Sequence, residues 1–263
     1  MTNPSNEALS DKLREMADVL RRPTVRTVPV KTPEQQASLM QHRVRDLLVR
    51  QRTQAINALR SHLAELGIFA AQGHDGLKTR LSIITDGSDS RLPENGRASL
   101  SALVAHIASC QAELSAIEKR LVAQHRKNED SKRLETIPGI GVIGASAIVA
   151  TVPDASNFET GPDFAAWIGI VSREDSTGGK QWLGSISKQG DRYLRRLLVV
   201  GALSVLRQAH AHPEKYPWLT QLLARKPPKV AAVALANKTA RIAWAVLTKK
   251  ESYREEESKV QPR

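Results

Sequence analysis

The chain is poor in cysteine and in aromatic side chains. Its 263 residues include one cysteine, Cys110, and only 4% aromatic residues. A single thiol excludes an intramolecular disulfide and a zinc site built on a cysteine pair, and it is typical of a reducing cytoplasm. The first residues also lack the apolar core of a signal peptide. We therefore expect a cytoplasmic protein that binds no metal through this chain itself.

Acidic side chains are scarce relative to basic ones. Asp and Glu number 27 against 39 Lys and Arg, which gives a formal net charge of +12. A surplus of this size favours a polyanionic partner, because each neutralised phosphate releases counterions. Membrane-surface binding would instead predict one basic amphipathic helix, whereas these cations are spread along the chain. Asn237, Lys238 and Arg241 also interrupt the longest apolar run, so no membrane span is expected.

Helix-forming residues predominate, which predicts a mainly α fold. Prolines interrupt residues 1–33, which we expect to be extended or disordered. A helix is predicted from about Glu34 to Leu66, before Gly67, and a loop around a short helix is predicted over 71–95. The apolar stripe of the predicted helix consists of Val44, Leu48, Ala55, Leu59, Leu63 and Leu66.

A second predicted helix has the most regular apolar spacing in the chain. Its apolar residues alternate three and four apart: Leu100, Leu103, Ile107, Cys110, Leu114, Ile117 and Leu121. This spacing is that of a coiled-coil seam. We therefore expect an antiparallel coiled-coil pair over 34–130. The pair is either an arm that mediates homo-oligomerisation or a brace inside a globular domain.

The composition changes after the charged segment 128–132. Glycines cluster, the apolar runs shorten, and all four tryptophans occur beyond this point. A compact helical domain is therefore predicted over 133–250. The charged residues 251–263 are expected to form a disordered tail.

Residues 134–148 have the form of a helix-hairpin-helix. Pro138 ends one helix, and Gly139 and Gly141 permit a tight turn with positive φ. The next helix, which contains Gly144, would present free backbone N–H groups to a phosphate without reading bases. A purely structural turn is the alternative. A dinucleotide fingerprint has similar glycine spacing, but it requires a preceding strand that the sequence does not show.

The segment 171–198 places a serine among cations. Ser176 lies in a polar turn flanked by short extended pieces, which predicts a small β-hairpin. The cations around it are Lys180, Lys188, Arg192, Arg195 and Arg196. A serine hydroxyl beside several cations can attack a phosphodiester, because the cations stabilise the alkoxide and the crowded phosphorane. By chemistry alone, a serine in a glycine-rich turn is far more often a turn former.

The order of several motifs resembles the insertion-sequence 110/116/902 family of transposases. The motifs are Ile-Pro-Gly-Ile-Gly from Ile137, Phe-Ala-Ala-Trp-Ile-Gly-Ile from Phe164, and the run from Ser176 to Leu198. Residues 22–36 are similar to the family's linker, and the similarity continues through His42 and Arg43, residues 48–53 and the last helix at 229–247. The resemblance covers most of the chain.

The resemblance implies a recombinase that transposes DNA. The family's serine nucleophile, which forms a covalent phosphoserine link with DNA, falls on Ser176. Ser185 and Ser187 are the nearby alternatives, which we expect to contact phosphates. DNA contacts are expected from Lys180, Lys188, Arg192 and Arg195, and at the hairpin from Gly139, Gly141 and Gly144. The family also uses a structured guide RNA and assembles as multimers on two DNA sites.

The sequence departs from the family in its acidic residues. Family members hold Mg²⁺ with four acids of an RNase H-like domain of ~100 residues, whereas the linker-like segment here begins at about Arg21. We therefore expect Mg²⁺ only in a full-length enzyme, and a truncated copy that is inactive alone or active only with an acidic domain supplied by another copy. The alternative is a non-catalytic nucleic-acid-binding fragment that multimerises with full-length transposase or interferes with it. A DNA-repair helix-hairpin-helix protein would leave the serine segment unexplained.

Overall fold

A computed structural model describes residues 30–174 and 183–254, together with Arg14, Ala17 and Asp18. For Glu174 and Leu183 it describes the backbone only. Most of the predicted linker 1–33 and of the predicted tail 251–263 therefore lies outside the described residues. From Pro33 onward, the described chain belongs to one compact unit.

Nine α-helices and two short strands make up the regular structure of the described residues, so the mainly α prediction is confirmed. The helices are α1 (Pro33–Glu65), α2 (His74–Thr85), α3 (Glu94–Lys127), α4 (Glu129–Glu135), α5 (Val142–Thr151), α6 (Gly161–Ile168), α7 (Arg192–Ala211), α8 (Pro217–Leu223) and α9 (Pro228–Lys249). The strands are β1 (Ser172–Glu174) and β2 (Leu183–Ile186), and 3₁₀ turns occupy Ala155–Asn157 and Pro213–Lys215.

Helices α1 and α3 pack side by side in opposite directions. Arg45 donates two hydrogen bonds to Glu118 at 2.9 and 2.7 Å, and Arg52 donates to Gln111. From Arg45 to Arg52 the chain advances by seven residues along α1, whereas their partners go back by seven residues along α3. The two helices are therefore antiparallel. The predicted seam faces inward: Leu103 is half-buried, and the buried members are Leu100, Ile107, Cys110, Leu114, Ile117 and Leu121.

The apolar stripe predicted on α1 is correct only in its C-terminal half. Ala55, Leu59 and Leu63 are buried, whereas Val44 and Leu66 are exposed. Leu39 and His42 are buried near the other end instead. In its N-terminal half α1 packs against α5 as well as against α3. The buried side of the helix in this half is therefore different from the side that the apolar spacing predicts.

One arginine closes the end of the helical pair. The guanidinium of Arg97, near the start of α3, donates to the carbonyls of Ile83, Ile84 and Asp89 at 2.9, 3.0 and 2.7 Å. These carbonyls lie at and after the end of α2, where a helix leaves its last acceptors unsatisfied. The arginine guanidinium has five N–H donors, so it can donate to several of these carbonyls at once. The loop over 71–95 is therefore fixed to α3 by side-chain hydrogen bonds.

A buried histidine connects α3 to α4. Nδ1 of His125 lies 2.7 Å from Oγ of Ser131, and its Nε2 lies 2.9 Å from a carboxylate oxygen of Glu135. Asn128 begins α4 by accepting a hydrogen bond from the Ser131 N–H at 2.8 Å, as a helix N-cap does. These contacts define the angle between the two helices at the charged segment 128–132.

A second hydrophobic core lies in α4 to α9 and contains many small side chains. Phe164 and Leu194 are fully buried within it. Its buried alanines are Ala145, Ala147, Ala155, Ala165, Ala202, Ala209, Ala231, Ala232, Ala236, Ala240 and Ala243. Small residues let helix backbones approach closely, and α9 packs against both α6 and α7. This core forms the support for the serine-bearing segment.

Helices α3 and α9 are long and apolar enough to cross a membrane by length and composition alone. Core helices of soluble proteins pass the same test. The buried residues of α9, which include Ala236, Ala240 and Ala243, pack in the second core.

Candidate nucleic-acid interface

The predicted hairpin joins α4 to α5 through a tight turn. Gly139 has a φ of +89°, and the N–H of Ile140 donates to the carbonyl of Ile137 at 3.0 Å. Positive φ is costly for any residue with a side chain, which explains the glycine. Ile137 and Ile140 are buried, so the turn is anchored by apolar side chains on both sides of Gly139.

The hairpin packs directly on the backbone of α7. A Cβ on Gly201 would lie 1.8 Å from the carbonyl oxygen of Gly139, so only a hydrogen fits between the two segments. Beside this contact is a groove of about 570 Å³, lined by residues 135–144 of the hairpin and by α7 between Leu197 and Gln208. The two glycines therefore fix the hairpin on α7.

The hairpin presents the start of α5 toward solvent. Gly141 is the N-cap, is exposed and makes no side-chain cap hydrogen bond. A helix leaves its first N–H groups without intrahelical acceptors, here those of Val142, Ile143 and Gly144. They coincide with the positive end of the helix dipole, where an anion is favoured. The arrangement can bind a phosphate oxygen without contacting a base.

Ser176 and Lys180 lie in residues 175–182, outside the described residues. The strands on either side of them are described: β1 and β2 pair antiparallel, with Ser172 opposite Ile186 and an irregularity toward Glu174 and Leu183. Ser185 lies in β2 and is exposed. The described strands thus support both ends of the segment that carries the predicted nucleophile.

The chain after β2 is held against the end of α6 by two glycines. Gly169 and Gly190 have φ values of +82° and +88°. A Cβ on Gly169 would lie 1.8 Å from the carbonyl oxygen of Gln189, and one on Gly190 would lie 1.9 Å from that of Trp167. Sequence reasoning missed both glycines, and their only signal was their place in the motifs Trp-Ile-Gly-Ile and Lys-Gln-Gly-Asp.

Ser187 and Lys188 lie in this fixed segment. The N–H of Ser187 donates to the carbonyl of Val171 at 2.9 Å, and that of Lys188 donates to the carbonyl of Gly169 at 3.2 Å. Lys188 has a φ of +57°, a left-handed conformation that is uncommon for a residue with a side chain. Its side chain is exposed. The backbone conformation of Lys188 therefore sets the direction in which its charged side chain extends into solvent.

Arg192 and Arg195 differ in their surroundings. Arg192 is exposed at the first position of α7, directly after Asp191, which caps the helix by accepting from the Leu194 N–H at 2.9 Å. The guanidinium of Arg195 instead donates to the carbonyl of Ile168 at 2.8 Å. Arg195 thus stabilises the junction between α6 and α7, and its contact with DNA stays a prediction.

A polar cluster joins α7 to α1. Oη of Tyr193 lies 3.2 Å from Nδ1 of His42, and Arg196 pairs with Asp46 while its guanidinium lies 5.3 Å from the Tyr193 ring centroid. Burial and, to a lesser degree, the positive charge of the nearby Arg45 lower the pKa of His42 from its usual 6.5 to about 4. The imidazole is therefore neutral at pH 7. Sequence reasoning missed this cluster, because its members are about 150 residues apart in sequence.

The charge of the chain is concentrated in its last helices. Residues 192–250 contain twelve Lys and Arg side chains and a single carboxylate, Glu214. Residues 33–127, which hold α1 to α3, contain thirteen basic and nine acidic side chains. Arg196 pairs with Asp46 and Lys250 with Asp130 from outside this range, but within it the cations greatly outnumber the carboxylates, and the net positive field favours a polyanion.

Sequence comparison identifies relatives over nearly the whole chain. Residues 131–217, which contain both the hairpin and Ser176, match the profile of the Transposase IS116/IS110/IS902 family. A protein of Sinorhizobium fredii named as a transposase is 43% identical over 248 residues, which is 94% of this chain and 64% of that protein. The chain thus spans less than two thirds of that relative's length.

Two further relatives are covered over more of their own length. A family 20 transposase of Pseudomonas aeruginosa is 42% identical over 91% of this chain and 71% of its own length. The transposase for insertion sequence element IS1111A of Coxiella burnetii is 35% identical over 95% of this chain and 69% of its own length. Identity at this level over such coverage places the chain in the IS116/IS110/IS902 family of insertion-sequence transposases.

Proposed function

We propose that the chain acts in DNA transposition, with Ser176 as the nucleophile that attacks a DNA phosphodiester. The observation that carries the proposal is that the family match over 131–217 includes the serine segment together with the hairpin. The described chain around it supports the same role, because Gly169 and Gly190 fix the segment that leads into α7.

The proposed step exchanges one phosphodiester bond for another. Oγ of Ser176 forms a bond to phosphorus, and the bond from phosphorus to one deoxyribose oxygen breaks. The departing oxygen becomes a hydroxyl by taking up one proton, which balances the proton lost by the serine. Lys188 and Arg192 are exposed beside the segment, where they would stabilise charge on the phosphoryl oxygens.

Two features make the start of α7 favourable for an anion. Arg192 is a cation at the positive end of a helix dipole, an arrangement that is unfavourable without a compensating negative charge. Asp191 supplies one carboxylate, but it is engaged in capping the helix. A DNA phosphate would supply the remaining negative charge. The first turn of α5 at the hairpin has no such cation and offers a phosphate only its N–H groups and the positive end of the helix dipole.

The described residues do not form a site for the family's Mg²⁺. They contain no cluster of three or more His, Cys, Asp or Glu side chains that could hold a metal ion. No step of the proposal is therefore derived through a metal held by these residues.

The lack of such a cluster in the described part of the chain favours a second candidate function. In that case the protein binds nucleic acid without cleaving it and forms mixed multimers with a full-length transposase. DNA, a guide RNA and further copies of the chain are the proposed partners under either function. The helical pair of α1 and α3 is the proposed oligomerisation surface.

Covalent trapping distinguishes the two functions. The purified chain is incubated with Mg²⁺, the RNA encoded beside its gene and labelled DNA from the end of its element. If the first function is correct, wild type and Ser185→Ala give a protein–DNA adduct that survives denaturation, and Ser176→Ala gives none. Ser185 serves as the matched control, because it is a nearby exposed serine on β2. Equal binding by all three proteins without any adduct would show that Ser176 does not attack DNA in this chain alone, which favours the second function.

The contribution of the hairpin is tested by Gly141→Asp. Gly141 has a φ of −91°, and a Cβ there would meet open space, so the fold tolerates the change. Aspartate is a preferred N-cap, and stability is expected to change by only a few tenths of a kcal/mol. Duplex DNA affinity is expected to fall several-fold, because the carboxylate occupies the phosphate position. Gly141→Asn is the uncharged control, and equal affinities for Asp and Asn would overturn the role of the hairpin.

A further inference from the structure

An exposed tryptophan begins α8, away from the hairpin and the serine segment in sequence. Trp218 is 43% exposed, whereas its neighbour Leu219 is 2% exposed and packs in the second core. Leu219 therefore anchors α8, and much of the Trp218 ring is left in contact with solvent. A single exposed apolar side chain is ordinary on a protein surface, so its surroundings decide whether it has a role.

A lysine stacks on the Trp218 ring. Nζ of Lys238, on α9, lies 4.6 Å from the ring centroid, which is within range of a cation–π contact. This contact fixes the cation beside the ring. A positive charge and an aromatic surface therefore lie close enough together for a single nucleotide to contact both.

Further cations lie along the same faces of α8 and α9. Arg241 is three residues beyond Lys238 and therefore on the same side of α9. The guanidinium of Arg225 bends back to the carbonyl of Gln221 at 3.4 Å, and Gln221 is three residues beyond Trp218. The sequence from 215 to 250 contains no Asp or Glu. The cations of α9 and of the residues after α8 therefore have no carboxylate within their own stretch of sequence.

We propose that Trp218, Lys238, Arg225 and Arg241 form a binding site for an unpaired nucleic-acid strand. A base stacks on the indole ring, and the neighbouring phosphates contact the cations. Single-strand binding proteins combine these same two elements, a basic surface and an aromatic ring for stacking. A duplex keeps its bases stacked on each other and uses only the cations. The site rests on the proposed function to the extent that both require a nucleic-acid partner.

The test measures binding of the full chain to a fluorescent thymidine oligonucleotide of about 16 nucleotides. Fluorescence anisotropy gives the dissociation constant for wild type, Trp218→Ala and Trp218→Phe. Trp218→Ala is expected to weaken binding at least about 5-fold, since one stacked base contributes that much or more. Trp218→Phe keeps an aromatic ring and is expected to retain most of the affinity. The phenylalanine variant also controls for folding, which circular dichroism checks for both.

Two matched probes separate stacking from charge. On an abasic strand of equal length, wild type and Trp218→Ala are expected to bind alike, because no base is available to stack. Lys238→Gln is expected to lower the slope of log affinity against log salt by about 0.7 on the single strand. Lys78→Gln removes an exposed lysine from α2 and is expected to leave the single-strand affinity within 2-fold of wild type, roughly the scatter expected for weak exposed charges.

The outcomes distinguish this site from the proposed function. Equal single-strand affinity of wild type and Trp218→Ala, with duplex DNA still bound, would overturn the Trp218 site alone. An equal loss on the abasic strand would also overturn it, because the ring would then act without a base. Binding of polyglutamate as tight as that of the oligonucleotide would identify an acidic polypeptide as the occupant instead. Failure of wild type to bind any nucleic acid would overturn both proposals.

Discussion

The two hydrophobic cores of this protein are built from different side chains. The core between α1, α2 and α3 consists almost entirely of leucine and isoleucine, such as Leu59, Leu63 and Ile107. The core of α4 to α9 contains eleven buried alanines, and its hairpin meets α7 at Gly201 without any side chain between them. Large side chains fill space between separated helices, whereas small ones let backbones touch.

The difference predicts opposite sensitivities in the two regions. A core of large aliphatic side chains loses stability when a side chain is shortened, because a cavity remains. A core of close backbone contacts loses stability when a side chain is lengthened, because there is no space for the added atoms. The hairpin and α7, which the proposed function uses, lie in the closely packed region.

The largest effect is expected from Gly201→Ala in the closely packed region. The added Cβ would lie 1.8 Å from the carbonyl oxygen of Gly139, so the hairpin must move away from α7. We expect a loss of about 3 kcal/mol in the free energy of unfolding, measured by urea denaturation. Gly96→Ala in α3 is the matched control, because its Cβ would meet Leu92 at an ordinary 3.6 Å. Its stability should rise by about 0.5 kcal/mol.

A loss of similar or slightly smaller size is expected from Leu59→Ala in the helical pair. Leu59 is completely buried, and shortening it leaves a cavity that costs about 3 kcal/mol. Partial collapse of α1 and α3 into this cavity would reduce the loss. Hydrogen exchange should show the loss first in the amides of α1 and α3. Greater protection loss in α7 and α9 would contradict the division into two cores.

A smaller and pH-dependent effect is expected at the boundary between the two regions. The folded protein holds the pKa of His42 at about 4, below its usual 6.5. The unfolded chain therefore binds the proton more tightly, and stability falls as the pH drops from about 6.5 to 4. We expect this histidine to contribute about 2 kcal/mol of that fall. His42→Gln should give a flatter dependence of unfolding free energy on pH, and an unchanged slope would mean that His42 is not linked to folding.

Sequence reasoning succeeded where one element carries its own signal. The seam of α3 was predictable, because large apolar residues three and four apart define one face regardless of the partner. The turn at Gly139 was predictable for a similar reason, since Pro138 and Gly139 determine local backbone conformation. The positive φ predicted for Gly141 was wrong, because this residue is the extended N-cap of α5 with a φ of −91°. Both bounds of α1 were predicted within one residue of Pro33 and Glu65. Local chemistry was sufficient for each of the correct predictions.

Sequence reasoning failed where two distant segments meet. His42 and Tyr193 are 151 residues apart, and nothing near either residue specifies the other. Nothing in the sequence of α3 distinguishes Arg97 from other helix residues, because the carbonyls that it binds belong to another segment. Alanine is favoured in exposed and buried helices alike, so the alanine-rich core carried no recognisable pattern. Each of these features depends on tertiary contacts, to which helical periodicity is blind.

Because α1 and α3 are antiparallel, the length of the helical pair sets the distance between the two ends of the pair. Seven residues added to each helix would extend the pair by about 10 Å while keeping every existing contact in place. The turn closed by Arg97 and the joint at His125 would be displaced from each other but otherwise unchanged. An insertion in one helix alone would rotate its remaining residues by about 100° for each added residue and remove them from the seam. The length of the helical pair can therefore change by seven residues in both helices at once without altering the serine-bearing domain.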